Sequence, residues 1–371
     1  MAYFYQALLF GHHKYGRSIN LDELEQIILM NNPTMSEAQK ELVQQIMVRI
    51  KAEPDIGPDV ATDVLRSAWR EETGRRISKV GLDIIEGKAT LEDISALVAS
   101  AGDDFVPDEG VTPTPTDVAE VLAALDKRIA WRFNLESLAA VVPGISGGEF
   151  TIIFARPEVG KTASWVHFVC GPEGFAWQGA NVHIIVNEEP SIRTMLRCIS
   201  SSSGMTREEI RTTPAKAASE WNKIRQNVTM VDDVDMSMDR LNAYTKKHRP
   251  DILIIDQLDK VSVSGAFARK DEMLGETYQR AREIGKRWDC SVIGLTQASA
   301  DAEGKTQLHY SMMAESKTSK AAEADLIIGV GRQFEKLEDP LRFFTLSKNK
   351  ISGRHATVHG MLNEQTSRLV A

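Results

Sequence analysis

Residues 155–164 read ARPEVGKTAS, which sets Gly160, Lys161 and Thr162 at the spacing of a polyphosphate cradle. Backbone N–H groups at a helix start hold a β-phosphate there. Lys161 reaches the β- and γ-phosphates, and the Thr162 hydroxyl is a ligand for Mg²⁺. Arg156, Pro157, Glu158 and Val159 make the turn, and Ala163 continues the helix. Ala155 stands where the common pattern has glycine, a small residue that fits the turn if its φ is negative. The cofactors expected are ATP and Mg²⁺.

A second carboxylate must serve the metal from the end of an apolar strand. DILIIDQ offers Asp256; Asp251 begins the same run and lies at the wrong end. A hydrolase also needs a group to orient the attacking water. HIIVNEEP puts Glu188 and Glu189 at the C-terminal end of a strand, where ligands collect in parallel sheets, with one expected to face the site and the other away. CSVIGLTQ ends in Gln297, placed to hydrogen-bond between a γ-phosphate and a loop.

These groups need a frame. EFTIIFA, ANVHIIVNEE, VTMVDDV, DILIIDQ, CSVIGLTQ, ADLIIGVG and LRFFTLSKN are short β-rich runs, several apolar almost throughout. KTASWVHFVC, SIRTMLRCISSSSG, ASEWNKIRQN, MDRLNAYTKKH and ETYQRAREIGKRW separate many of them. The alternation predicts an α/β domain with a mostly parallel sheet and crossover helices. Residues 1–100 instead read as a small all-α domain. Its segments are SINLDELEQIILM with Ser18 or Asn20 as cap, MSEAQKELVQQIMVRIKAE with Ser36 as cap, DVATDVLRSAWREETG, and TLEDISALVAS opening on Thr90 and Asp93. MAYFYQALLFGHHKYG has no basic start and reads as a core helix rather than a signal peptide. Residues 101–132 read as a flexible linker, AGDDFVPDEGVTPTPTD, plus the amphipathic helix DVAEVLAALDKRIAW, whose apolar face either its own domain or a neighbouring subunit can take. The third unit is 133–371.

With 42% hydrophobic and 26% charged residues the composition is that of a soluble globular chain. No apolar run is long enough for a membrane. Cys170, Cys198 and Cys290 fit neither a zinc spacing nor a disulfide framework, which points to buried thiols and a cytoplasmic home; His12 and His13 read as a surface pair. The net charge of −8 divides unevenly: residues 1–150 carry 14 Lys and Arg against 24 Asp and Glu, residues 151–371 carry 30 against 28. Any nucleic-acid contact must therefore come from placed loops rather than a global field.

From residue 133 onward the chain resembles the RecA-like motor domain of DnaB-type replicative helicases, phage versions included. The resemblance rests on FNLESLAAVVPGISGGEFTIIFARPEVGKT, VNEEP, ILIIDQLDKV, VIGLTQ, AESKTSKAAEADLIIGVGR and LSKNKISGR, in that order. It implies that Ala155 is the family's own residue and that Glu188 is the catalytic glutamate. It implies a hexameric ring with ATP between subunits, translocation 5′→3′ on single-stranded DNA at a replication fork, and a primase, polymerase or helicase loader as partners. It also implies trans-acting cations in the last motif. The family pattern there is Lys-x-Arg; here it is Lys348-Asn349-Lys350, with Arg354 as the fallback. A lysine lacks arginine's bidentate fork. Two loops are the DNA candidates, 262–272 with Arg269 and Lys270, and 314–320 with Lys317 and Lys320; neither carries interleaved aromatics, which suggests tracking of the backbone rather than base stacking. The N-terminal residues show no zinc cysteines and no primase signature. Two other classes stay open: a RecA-like recombination or regulatory ATPase without processive unwinding, and a non-enzymatic adaptor on a vestigial ATPase fold.

Overall fold

The computed structural model describes residues 20–33, 35–52, 58–91, 114–126, 130–265, 269–315, 317–333 and 339–370, with scattered positions elsewhere. The chain divides into two compact units, Met1–Thr114 and Pro115–Ala371.

In the first unit, α1 (Leu21–Asn31) starts at Asn20, whose side chain accepts from Glu23 N while Glu23 returns a bond to Asn20 N. This capping box satisfies two donors at once. α2 (Glu37–Ala52) follows Ser36, which trades bonds with Gln39. Leu24, Ile27 and Ile28 of α1 meet Val43 and Met47 of α2, together with Phe4 and Ala7. α3 spans Pro58–Ile85, 28 residues, well past the segment expected to end near Gly74. Beyond Gly74 the residues Ile77, Val80 and Ile84 keep the helical spacing, and Glu71–Arg75 and Glu72–Arg76 pairs one turn apart add to it. Residues 101–113 of the expected linker, the pair His12 and His13, and most of the first 16 residues lie outside the described residues.

The second unit opens with α4 (Val118–Asp126), capped by Asp117, which accepts from Ala119 N and Glu120 N. Its Val118, Leu122 and Leu125 are exposed. Then come β1 (Ala130–Trp131), α5 (Glu136–Ala139), β2 (Ile145–Ser146), β3 (Phe150–Ala155), α6 (Lys161–Cys170), β4 (Val182–Val186), α7 (Ser191–Ser203), α8 (Arg207–Thr212), α9 (Pro214–Trp221), β5 (Val228–Asp232), α10 (Met238–His248), β6 (Ile252–Asp256), α11 (Lys270–Trp288), β7 (Ser291–Gln297), α12 (Lys317–Glu323), β8 (Leu326–Gly331), β9 (Leu341–Asn349), β10 (Thr357–Asn363) and β11 (Arg368–Val370).

Nine of these strands form one sheet in the order β11-β10-β9-β8-β3-β7-β6-β4-β5. The six from β8 to β5 are parallel, and β9, β10 and β11 extend the sheet antiparallel. β3, β4, β6 and β8 are buried at every position, because helices cover both faces and leave no polar side. One core holds Phe133, Trp165, Phe168 and Phe344; the other holds Phe154, Leu253, Leu258 and Tyr278.

The hairpin β10–β11 carries little sequence signal. Of its inward positions, 360 is glycine, and a Cβ there would meet Leu135 Cδ1 at 3.0 Å. α9 starts earlier than expected, with Pro214 in its first turn, and ends at Trp221 instead of running to Asn227. Cys170, Cys198 and Cys290 are free and buried.

α6 is buried from Ser164 to Cys170. His167 lies on this helix, 3% exposed, with no hydrogen-bond partner on either ring nitrogen. Burial, then the charge of Arg368, lowers its pKa from 6.5 to about 4. Below pH 6.5 the unfolded chain takes up a proton that the folded one refuses, until the pH falls to about 4. Across that window the wild type should lose up to about 3 kcal/mol that His167→Gln does not lose, measured by urea unfolding at successive pH values. Parallel pH profiles for the two proteins would refute this.

Candidate functional site

The parallel register brings the candidate groups to one edge of the sheet. Ala155 at the end of β3 is level with Gln297 of β7 and Val330 of β8. Val186 at the end of β4 is level with Asp256 of β6 and Asp232 of β5. Glu188 and Glu189 lie just past that edge, and the turn 156–160 leads from it into α6.

The turn is built for close backbone approach. Glu158 has φ of 62° and Gly160 of 112°, and a Cβ on Gly160 would meet Leu362 Cδ2 at 2.9 Å. Arg342 of β9, fully buried, donates from Nε to Val159 O at 2.6 Å and from Nη2 to Glu364 Oε1 at 2.6 Å. Burial lowers the Arg342 pKa, and Glu364 opposes that shift. Arg156 pairs with Glu303 at 2.7 Å and also donates to Ala298 O. The side chain of Arg156 thus fastens the turn to the chain beyond β7.

Inside the turn, Lys161 Nζ lies 3.5 Å from Glu188 Oε2 and 3.5 Å from Asp256 Oδ1. Thr162 Oγ1 donates to Asp256 Oδ2 at 3.2 Å, and Trp165 Nε1 donates to the same oxygen at 2.9 Å. Asp256 is 4% exposed, and its Oδ1 accepts no hydrogen bond. Asn187 holds the next peptide: its Nδ2 donates to Gln257 O at 3.0 Å, and its Oδ1 accepts from Gln257 N. Glu188 and Glu189 part as the alternation requires. Glu189 turns to Arg197 at 2.6 Å.

This donor set fits Mg²⁺ with a nucleotide. A hydroxyl and a carboxylate stand together, and a buried carboxylate oxygen lacks a donor. Among the described residues no group of three His, Cys, Asp or Glu could hold a metal alone. Thr162 and Asp256 would therefore share the ion with phosphates and water, as is usual for Mg²⁺.

The other expected residues fall elsewhere. Lys348 is level with Ile327 at the start of β8, and Lys350 N donates to Asp325 O. Measured along β8 from Val330, Lys348 is roughly 10 Å away and Lys350 roughly 17 Å, at about 3.3 Å per residue. Neither reaches the phosphate turn of its own chain. Lys348 Nζ donates to Ala321 O and Ala322 O; its pKa is lowered by burial and then by Lys350. Lys350 Nζ is 4.0 Å from Asp325, and Arg354 donates to Ala140 O at 2.9 Å.

Arg269 is exposed and pairs with Asp271 and Glu272; Lys270 is exposed and pairs with Glu315. Lys317 opens α12. Lys320, expected on a DNA-facing loop, is a correction: its side chain is 0% exposed and bonded to Asp259 at 2.9 Å. A lysine in a loop-like polar run reads as solvated; here the run is a helix that buries it. Arg342, Trp165 and Asn187 were not expected in the site. Trp165 reads as core from sequence, and Arg342 lies 183 residues from the turn it braces.

A family model, the DnaB-like helicase C-terminal domain, matches residues 132–368. A search of the curated proteins finds no match. Among solved structures, one described as an ATPase domain is similar with a TM-score of 0.60 at 18% identity, over 69% of this chain and 99% of that one. A structure described as a DnaB-like replicative helicase and its interactions with primase is similar with a TM-score of 0.59 at 15% identity, over 98% of this chain and 90% of that one. These likenesses concern the fold: a RecA-like ATPase sheet flanked by helices.

Trp165→Phe keeps the aromatic packing and removes the bond to Asp256. It should cost about 1.5–3 kcal/mol in urea unfolding, since the acceptor is charged. In an Asp256→Asn background the same change should cost less than half as much, as two residues in one bond are not additive. Equal costs in both backgrounds would show that Nε1 does not hold the carboxylate.

Proposed function

Because the chain belongs to the DnaB-like helicases through the domain at 132–368, we propose that it is an ATP-dependent replicative DNA helicase. The observation that carries this reading is the meeting of Lys161, Thr162, Glu188 and Asp256 within 3.5 Å at one sheet edge, below a phosphate-binding turn. In this reading the backbone of 156–163 cradles the β-phosphate of ATP. Lys161 leaves its two carboxylates for the β- and γ-phosphates, which supply stronger negative charge. Mg²⁺, when bound, neutralises charge on the phosphates. Thr162 and Asp256 face it, and Trp165 keeps the carboxylate aimed. Glu188, freed from Lys161, orients the attacking water and takes its proton. Gln297 is placed to register the γ-phosphate.

The γ-phosphate also needs a cation that this chain's own site does not supply. Lys348, Lys350 and Arg354 stand at the far end of the sheet, which suits action on a neighbour's ATP in a closed ring of six subunits. Trans-acting residues of this kind are worth roughly 10³–10⁵ in rate. Single-stranded DNA would run through the ring 5′→3′, gripped through phosphates by Arg269, Lys270 and Lys317. The acidic partners of Arg269 and Lys270, at Asp271, Glu272 and Glu315, keep these two cations in place until phosphate competes for them. The units are proposed as a helical N-terminal domain at 1–100, a linker at 101–132 and the motor at 133–371. The reading places the protein in the cytoplasm at a replication fork, with a primase, polymerase or helicase loader as partner. The resemblance to one structure described with primase interactions supports the first of these.

Strand displacement on a forked duplex is the direct test: ATP-dependent unwinding is expected. ATP turnover without it would favour the recombination-type ATPase, and neither activity the adaptor. Lys161→Ala should abolish turnover, since it removes the cation that stands between Glu188 and Asp256; turnover near wild type would remove the phosphate-site assignment. Glu188→Ala and Lys350→Ala are each expected to be inactive, while mixed rings of the two should regain part of the activity. No recovery at any mixing ratio would refute action across the interface.

A further inference from the structure

Lys320 is the one lysine among the described residues whose side chain is fully buried. Its Nζ is satisfied on three sides. It pairs with Asp259 Oδ1 at 2.9 Å, donates to Ala314 O at 2.8 Å and lies 3.2 Å from Thr296 Oγ1. The ammonium also sits 5.2 Å from the centre of the Tyr278 ring. Asp259 is itself fully used: it accepts from Thr296 Oγ1 at 2.5 Å and from Tyr278 OH at 2.8 Å.

The positions of these groups matter more than their number. Asp259 lies three residues after Asp256, on the single 3₁₀ turn that follows β6. Thr296 directly precedes Gln297, and Ala314 N donates to Gln297 O at 2.9 Å. Lys320 therefore fastens α12 to the two strand ends that carry the carboxylate and the glutamine of the nucleotide site. The far end of α12 is fastened as well. Ala321 O and Ala322 O take Lys348 Nζ, and Arg282 donates to Glu323 O and Asp325 Oδ1. α12 is thus seven residues long and tied at two places, to the phosphate edge by Lys320 at its middle and to Lys348 of β9 by its last carbonyls.

We propose that Lys320 is a positioning residue, which through its buried pair with Asp259 makes α12 follow the nucleotide site and carries that displacement to Lys348–Lys350 at the end of β9. A buried ammonium cannot exchange its partners for water without a large penalty, so α12 and the 258–260 turn move as one body. The link is rigid where a surface pair would be slack. The proposal rests on the nucleotide reading above only in taking ATP as the ligand of the 156–163 turn.

Hydrogen exchange on the full chain, with and without Mg²⁺ and a non-hydrolysable ATP analogue, tests it. In the wild type, analogue binding should slow exchange about fivefold or more in peptides covering 156–163, 314–323 and 346–352. In Lys320→Met the change at 156–163 should persist and those at 314–323 and 346–352 should vanish. Asp259→Asn, which keeps the shape and removes the charge partner, should behave the same way, and covers the case where Lys320→Met does not fold. Lys320→Arg should restore part of the response. A response at 314–323 that survives both variants overturns the proposal. So does a wild type in which 156–163 responds and the other two peptides do not, with the ATP reading left standing. A wild type in which no peptide responds overturns the ATP reading and the coupling together.

Discussion

A carboxylate shut away from water has to be met by donors, and Asp256 is such a group. With 4% of its surface exposed it depends on Lys161, Thr162 and Trp165. Each of those comes from the first two turns of α6. The helix must therefore start at a fixed point beneath the carboxylate, and the left-handed Gly160 sets that point. β6 must end level with β4, so that Glu188 arrives beside Lys161. The parallel register, the buried strands and the two helical layers follow from the need to bring these chain segments to one edge. Lys161 lies between two carboxylates, 3.5 Å from each.

The extended arm of the sheet answers a different need. β9 runs back along β8, so the lysines at its end are carried as far from the phosphate edge as the strand length allows. One chain thus holds the phosphate turn beyond one end of the parallel strands and Lys348 and Lys350 at the other end of β8. The neutral overall balance of residues 151–371 suits this, because positive charge is delivered at points rather than spread over a face.

Much of this was legible in the sequence, for physical reasons. Strands buried on both faces announce themselves as unbroken apolar runs, and all seven expected runs form strands of the main sheet. Gly160, Lys161, Thr162 and Asp256 are constrained by local geometry, a tight turn or a strand end, so their spacing was readable. Residues whose role depends on long-range contact were not. Trp165 is one aromatic among several on an apolar helix, and only its neighbour across the sheet makes its N–H matter. Lys320 sits in a polar run, and nothing local says that Asp259 waits beneath it. The hairpin β10–β11 hides its pattern because an inward position is glycine. α3 outruns its expected end because Ile77, Val80 and Ile84 keep the helical spacing beyond Gly74.

Arg342 joins two parts of the chain that lie far apart in sequence. Its guanidinium spans from Val159 O to Glu364, so the phosphate turn is rooted in the antiparallel extension as well as in α6. The residues from β9 onward therefore help to shape the glycine turn. Pruning the tail, or splicing a reporter into the hairpin at 357–363, would slacken the turn at 156–160 from behind while leaving each of its own residues unchanged.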